Sequence, residues 1–346
     1  MPSVLFLYNA PENFLPVLMT QAIAKQNTEE VSKIIHKIIA IAHENNYANG
    51  NLWHNYLTHF VLSNENVFSL SCERKDAPEG SLKDFVLHDF EIFMQLFGLS
   101  ENLAIIKNFT GEASSSPILD LSKKLANSST PEEFYKYVSD FYKNFGVGIL
   151  AFNKAFRLDS NSLMPVSDRN IGSVKFDDII GYEIQKRELI SNTKAFLDGK
   201  PANNVLLYGD GGTGKSTSVK ALLNEYFSEG LRVVEIYKHQ FRDILSLTEA
   251  LRKRNYKFII FIDDLSFEEH EIEYKYLKAV IEGGIETRPD NVLIYATSNR
   301  RHIIRETWND RSDMEHNGDI HRSDTVEEKL SLASRFGIAI NYSAPT

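Results

Sequence analysis

The run Gly209-Asp210-Gly211-Gly212-Thr213-Gly214-Lys215-Ser216 constrains what this chain can fold into more than any other stretch. It meets every fixed place of the phosphate-loop pattern G-x-x-x-x-G-K-[ST], which has meaning only between a strand and a helix. Both flanks are present. Residues 204–208 are short, apolar and partly β-branched, as a buried strand is, and 218–226 carry apolar residues at helical spacing. Glycines let the backbone curl so that successive N–H groups face phosphate oxygens, and a helix N-terminus adds partial positive charge at the same place. Lys215 would then reach the β- and γ-phosphates and Ser216 would ligate Mg²⁺, with Thr217 continuing the first turn. The expectation is a nucleoside triphosphate held by residues 209–217.

Length and composition set the frame around that loop. A chain of 346 residues has room for roughly two domains, and 42% hydrophobic with 25% charged residues is ordinary for a globular protein. The net charge of −9 argues against broad attraction to nucleic acid or anionic lipid, while leaving a local basic face open. One cysteine, Cys72, cannot form an internal disulfide, which suits a reducing compartment. No apolar run nears the ~18 residues of a membrane span, and the N-terminus lacks a basic region before its apolar patch. A cytoplasmic protein without a membrane segment is expected.

The two ends of the chain differ in style. Residues 29–47, 52–62 and 84–97 read as amphipathic helices, and Thr130-Pro131-Glu132-Glu133 as a helix start with Thr130 as cap and Glu133 closing a capping box. Residues 1–156 are therefore expected to form a mainly helical domain, and the polar stretch 157–174 a linker. From 175 to 346 strand and helix patterns alternate. Strands at 205–208, 232–237, 258–262, 292–296 and 338–341 predict an α/β domain with a parallel sheet covered on both faces.

Two of these strands end in polar residues suited to the phosphate chemistry. Residues 258–262 run into Asp263 and Asp264, one crossover unit after Lys215. Asp263 would support Mg²⁺, and Asp264 would orient an attacking water, although acids at a strand end also serve simply to cap the next helix. Residues 292–296 run into Thr297-Ser298-Asn299, where Asn299 would bond the γ-phosphate or the water, or merely form a turn. Ser334-Arg335-Phe336-Gly337 precedes the last strand.

Phosphate loop, acidic strand end, polar strand end and the late Ser-Arg-Phe-Gly together resemble the AAA+ ATPases. A closer resemblance is to an uncharacterised bacterial family of predicted AAA+ ATPases, described as a domain of unknown function. It is carried by Asp178-Ile179-Ile180-Gly181-Tyr182-Glu183, by 208–217, by 261–267 and by 295–302. The resemblance implies a five-stranded AAA+ core in the order 5-1-4-3-2, an adenine pocket lined by Ile180 and Gly181, and Arg335 as an arginine finger inserted into a neighbouring subunit. It implies ATP and Mg²⁺ as cofactors, self-association in a ring or filament, and hydrolysis that remodels an unidentified macromolecule. Two departures from the AAA+ pattern matter. Asp264 stands where a glutamate is usual, and nothing follows residue 346 that would form the helical lid, so a lidless core is expected. An ATP-dependent assembly switch with little turnover, and a DNA-associated loader or initiator, stand as alternatives.

Other signals carry less. The loop 308–325 holds Asp310, Asp313, His316, Asp319, His321 and Asp324, in no standard zinc or calcium spacing. Arg300, Arg301, His302 and Arg305 form a small basic cluster that suits an acidic neighbour or nucleic acid, or a solvated face.

Overall fold

Alternation of apolar strands with amphipathic helices after residue 153, against helices alone among the described residues before it, divides the molecule in two. In a computed structural model of the chain the compact units are Met1–Phe152 and Asn153–Thr346. The structure describes residues 5–9, 11, 14–45, 47–74, 78–99, 117–160, 162–267, 271–282, 289–299, 332 and 334–344.

The first unit has, among the described residues, the helices α1 Leu15–Ala24, α2 Thr28–Glu44, α3 Leu52–Ser63, α4 Val67–Glu73, α5 Ser81–Gly98, α6 Pro117–Ala126, α7 Pro131–Phe145 and α8 Ile149–Phe152. Asn27, Asn51, Asn66 and Thr130 each accept a hydrogen bond from the backbone two or three residues into the helix that follows, which satisfies a donor with no intrahelical partner. The expected capping box at Thr130 is altered in one respect: Glu133 takes the N–H of Ser129, at 2.8 Å. Aromatic rings fill the core, with Phe90 against Phe134 at 4.8 Å and the wholly buried Trp53 donating its indole N–H to Leu96 O at 2.7 Å.

The second unit is built on strands β1 Ala155–Asp159, β2 Ser162–Pro165, β3 Val205–Gly209, β4 Leu231–Glu235, β5 Lys257–Ile262, β6 Val292–Ser298 and β7 Ile338–Tyr342. Between them lie helices α9 Asp168–Ile171, α10 Glu183–Leu197, α11 Lys215–Tyr226, α12 Ile244–Arg252 and α13 Tyr274–Glu282. The strands form one sheet in the order β2-β1-β4-β5-β6-β3-β7. All pairings are parallel except β1 with β2. This is an α/β architecture dominated by a parallel sheet. β5 and β6 are buried along nearly their whole length, as strands covered on both faces must be.

The sheet corrects two expectations. It has seven strands rather than five: the five expected strands lie in the order 5-1-4-3-2, as β7-β3-β6-β5-β4, and β1 and β2 extend the sheet beyond β4. The segment 157–174 is also no linker, since it contains most of β1, all of β2 and α9. The reason is a half-buried strand. Phe156 and Leu158 face the core while Arg157 and Asp159 face out, so the polar residues belong to one exposed face and to the turn at Ser160. Asn224 of α11 then ties the returning chain down, donating to Gly172 O at 3.1 Å and Val174 O at 2.9 Å.

Candidate nucleotide-binding site

The phosphate loop leaves the C-terminal end of β3 and enters α11. Gly209 has φ 134 and lies so close to β7 that a Cβ there would sit 2.3 Å from Tyr342 O. Only glycine fits. Gly212 and Gly214 also take positive φ, 75 and 90. The hydroxyl of Thr213 closes the loop on Asp210 O at 2.8 Å. Asp210 also joins it to the chain after β7, donating its N–H to Tyr342 O at 3.2 Å and accepting from Ala344 N at 2.7 Å. Gly211 lies at the exposed tip.

Lys215 opens α11 and is 6% exposed. Its ammonium group folds back over the loop, donating to Gly209 O at 2.9 Å and Asp210 O at 2.5 Å. Burial holds it below the usual lysine pKa, while the carboxylates of Asp210, Asp264 and Asp263 pull the other way. Ser216 donates to Asp263 Oδ1 at 2.6 Å. Thr217 sits half-buried in the same first turn.

Asp263 and Asp264 follow β5, as the sequence pattern requires. Asp264 has φ 53, a left-handed conformation uncommon for a side-chain-bearing residue. Asn299, just past β6, donates its amide to Asp264 Oδ1 at 2.9 Å. The loop, both acids and Asn299 therefore meet at the C-terminal edge of the sheet, where open α/β sheets hold ligands.

Ile180 and Gly181 lie in the turn before α10. Ile180 is 93% exposed and Gly181 has φ 77. The neighbouring Ile179 is the one against the loop, its Cγ2 being 3.7 Å from the Cβ position of Gly214. Arg335 is exposed on the turn leading into β7. The register pairs Val205 with Ile338 and Gly209 with Tyr342, so Arg335 precedes the end of β7 opposite to the loop. The strand separates the two by roughly 13 Å. Arg300, Arg301, His302, Arg305 and the loop 308–325 lie outside the described residues.

Sequence reasoning overlooked three contributors. Thr297, buried at the end of β6, donates to Asp263 Oδ1 at 2.6 Å and accepts from Asp264 N at 2.9 Å. The rings of Tyr182 and Tyr342 stack at 5.0 Å beside the loop, and Tyr342 donates to Ser218 of α11 at 3.1 Å. A signal existed for Thr297, the first polar residue of an otherwise apolar strand. None existed for the tyrosines.

The donor set fits a triphosphate with a hard divalent cation: an ammonium at a glycine-rich helix N-terminus for phosphate, and a hydroxyl and a carboxylate oxygen 2.6 Å apart for the metal. Among the described residues no group of three or more His, Cys, Asp or Glu side chains could hold a metal by itself, and no helix is long and apolar enough to cross a membrane.

Residues 151–346 match the profile of a family described as "Protein of unknown function (DUF815)". The chain belongs to the DUF815 family. Among curated proteins, the replication factor C large subunit of Staphylothermus marinus is 38% identical over 69 residues, covering 20% of this chain and 16% of that protein. A putative 26S proteasome regulatory subunit homolog of Methanocaldococcus jannaschii is 28% identical over 194 residues, covering 50% of this chain and 51% of that protein. The chain therefore spans at most about half the length of these relatives. Among solved structures, that of DnaI superposes with a TM-score of 0.37 at 14% identity, covering 56% of this DUF815 chain and 96% of DnaI.

Proposed function

We propose that this DUF815 protein binds ATP with Mg²⁺ and hydrolyses it to ADP and phosphate, as an assembly in which neighbouring chains complete one another's sites. The observation that carries the reading is the convergence of Lys215, Ser216, Asp263 and Asp264 on one loop, with Ser216 and Asp263 in direct contact. Residues 209–217 cradle the phosphates, and Lys215 leaves the two carbonyls it now holds to meet them. Ser216 and Asp263 would hold Mg²⁺, which would neutralise phosphate charge. Asp264 accepts the proton of the attacking water, and Asn299 orients that water or the γ-phosphate. Ile180 and Gly181 border the base.

Arg335 acts in trans. Its place at the far end of β7 from its own loop supports this, because a cis contact would have to span the length of that strand. The energy released would remodel a macromolecule. A second reading, a nucleotide-dependent assembly switch with little turnover, is favoured by one contact: Asn299 already occupies Asp264 Oδ1, and a carboxylate so held is a poorer base.

Phosphate release per chain, measured with Mg²⁺ and ATP over a range of protein concentrations with Lys215→Ala as the blank, separates these. Specific activity that climbs with concentration supports hydrolysis in an assembly. Activity that is real but flat, in a chain that is monomeric throughout, overturns the trans role of Arg335. Release at the blank's level while ATP still binds favours the switch.

A further inference from the structure

Thr297 touches both acids at the end of β5 and has no part in the chemistry described so far. It is 2% exposed, and its hydroxyl makes two hydrogen bonds at once. Their direction is determined. A backbone N–H can only donate, so Asp264 N uses a lone pair of the hydroxyl, and the single hydroxyl proton is left for Asp263 Oδ1. The carbonyl of the same residue accepts Leu265 N at 2.7 Å. Three successive residues after β5 are thus tied to one residue of β6, and the middle one, Asp264, stands at φ 53. A non-glycine residue stays there only where its surroundings hold it.

We propose that Thr297 is the positioning residue of the two acids. Its hydroxyl aims the Asp263 carboxylate for the divalent cation and holds Asp264 in the left-handed turn from which it meets the water. Ser216 donates to the same Oδ1, but from the loop side, where phosphate and cation compete for it. Thr297 donates from within the sheet and keeps its bond whatever the loop does. If β6 needed only a β-branched residue of this volume, valine would serve equally well. This rests on the ATP–Mg²⁺ reading above.

The test compares Thr297→Val, which removes the hydroxyl at constant shape, with Thr297→Ser, which keeps it. Mn²⁺ is titrated by electron paramagnetic resonance onto the full chain bearing a non-hydrolysable ATP analogue, and analogue binding without metal is measured alongside. Thr297→Val is expected to bind the metal-free analogue as the wild type does and to lose about 10- to 100-fold in Mn²⁺ affinity, the effect of one hydrogen bond to a charged group. Its kcat for ATP falls with little change in KM, and Thr297→Ser restores both. Thr297→Val equal to the wild type in Mn²⁺ affinity and kcat overturns the proposal, and so does Thr297→Ser as impaired as Thr297→Val. If the valine variant does not fold, Thr297→Ala takes its place, and Ala matching Ser overturns the proposal. A wild type that binds analogue and Mn²⁺ while Thr297→Val matches it sinks this inference alone. A wild type that binds neither sinks the ATP–Mg²⁺ reading with it.

Discussion

Ser216 Oγ donates a 2.6 Å hydrogen bond to Asp263 Oδ1 although the two residues lie 47 positions apart. The bond spans from the helix after β3 to the end of β5, across β6, and brings two hard oxygen donors to one point. Ser216→Ala removes one of them without touching the loop backbone. The expected result is a loss of about tenfold in the Mg²⁺ dependence of ATP-analogue binding, the scale on which removing a metal-site partner acts. Binding without metal stays as in the wild type. Fluorescence titration of a labelled analogue with and without Mg²⁺ checks it, and an equal loss in both conditions would mean that Ser216 holds phosphate rather than metal.

Lys215 gives a pH signature. Burial lowers its pKa in the folded, nucleotide-free chain, so the unfolded chain holds this proton more tightly. Stability therefore rises with pH between the lowered folded value and the ordinary lysine value of 10.5. Below that window the cost of burying the charge is fully present, and above it the cost is gone. Lys215→Met carries no such proton, so the wild type should gain stability relative to the variant as the pH climbs through the window. Urea denaturation of both chains in an alkaline series measures the difference. A flat or falling difference contradicts the lowered value.

Much of this site was legible because each of its parts has a narrow chemical reason. The loop was readable because Gly209 must fit under Tyr342 O and Gly214 must turn left-handed into α11, which restricts those positions to glycine. The acids were readable because five buried residues precede them. β1 was hidden because only Phe156 and Leu158 mark its buried face and the exposed face reads as loop. Thr297 was marked only as the first polar residue of an apolar strand, and only the partners brought by β5 reveal what its hydroxyl does. The Tyr182–Tyr342 stack joins residues from the two ends of the unit, a long-range contact with no local pattern.

Gly209→Ala should be costly for a reason visible in coordinates alone. The new Cβ would meet Tyr342 O at 2.3 Å and Tyr342 C at 2.6 Å, at φ 134, and the β3–β7 ladder leaves the backbone nowhere to move. A loss of about 2–3 kcal/mol is expected, or roughly 5–10 °C in thermal midpoint for a unit of this size. Gly211→Ala is the control: nothing lies within 4 Å of its Cβ position, and its midpoint should barely move. Thermal scans of the two variants make the comparison. Equal shifts would mean that the loop is strained as a whole rather than at Gly209.

In the helical unit the corresponding weak point is Asp89 of α5. It is fully buried, and its two oxygens accept the N–H groups of Phe6, Leu7 and Tyr8 at 2.8, 2.9 and 3.3 Å. Asp89→Ala would leave these donors without an acceptor, at about 3 kcal/mol for charge-assisted bonds of this kind. Asp89→Asn, which keeps one acceptor oxygen, should cost about half as much. Amide exchange at Leu7 and Tyr8 should accelerate in both variants, more in the alanine one. Unchanged exchange would mean that packing of Tyr8 against Phe93, at 5.2 Å, holds this segment without the carboxylate.

The position of Arg335 predicts complementation between two inactive chains. Arg335→Ala keeps its own loop but offers no arginine to a neighbour, and ATPase activity should fall by ~10³-fold, the scale of a lost arginine finger. Lys215→Ala has no working loop but still presents Arg335. In a head-to-tail assembly every interface pairs one chain's loop with the next chain's arginine, so random mixing at equal amounts rebuilds about a quarter of the sites. Mixing the two dead variants should therefore recover a substantial part of wild-type activity. If Arg335 served its own loop, no mixture could recover anything, because each chain would carry its own defect. Recovery in the mixture, against none in either variant alone, thus distinguishes the two arrangements without any need to know the size of the assembly.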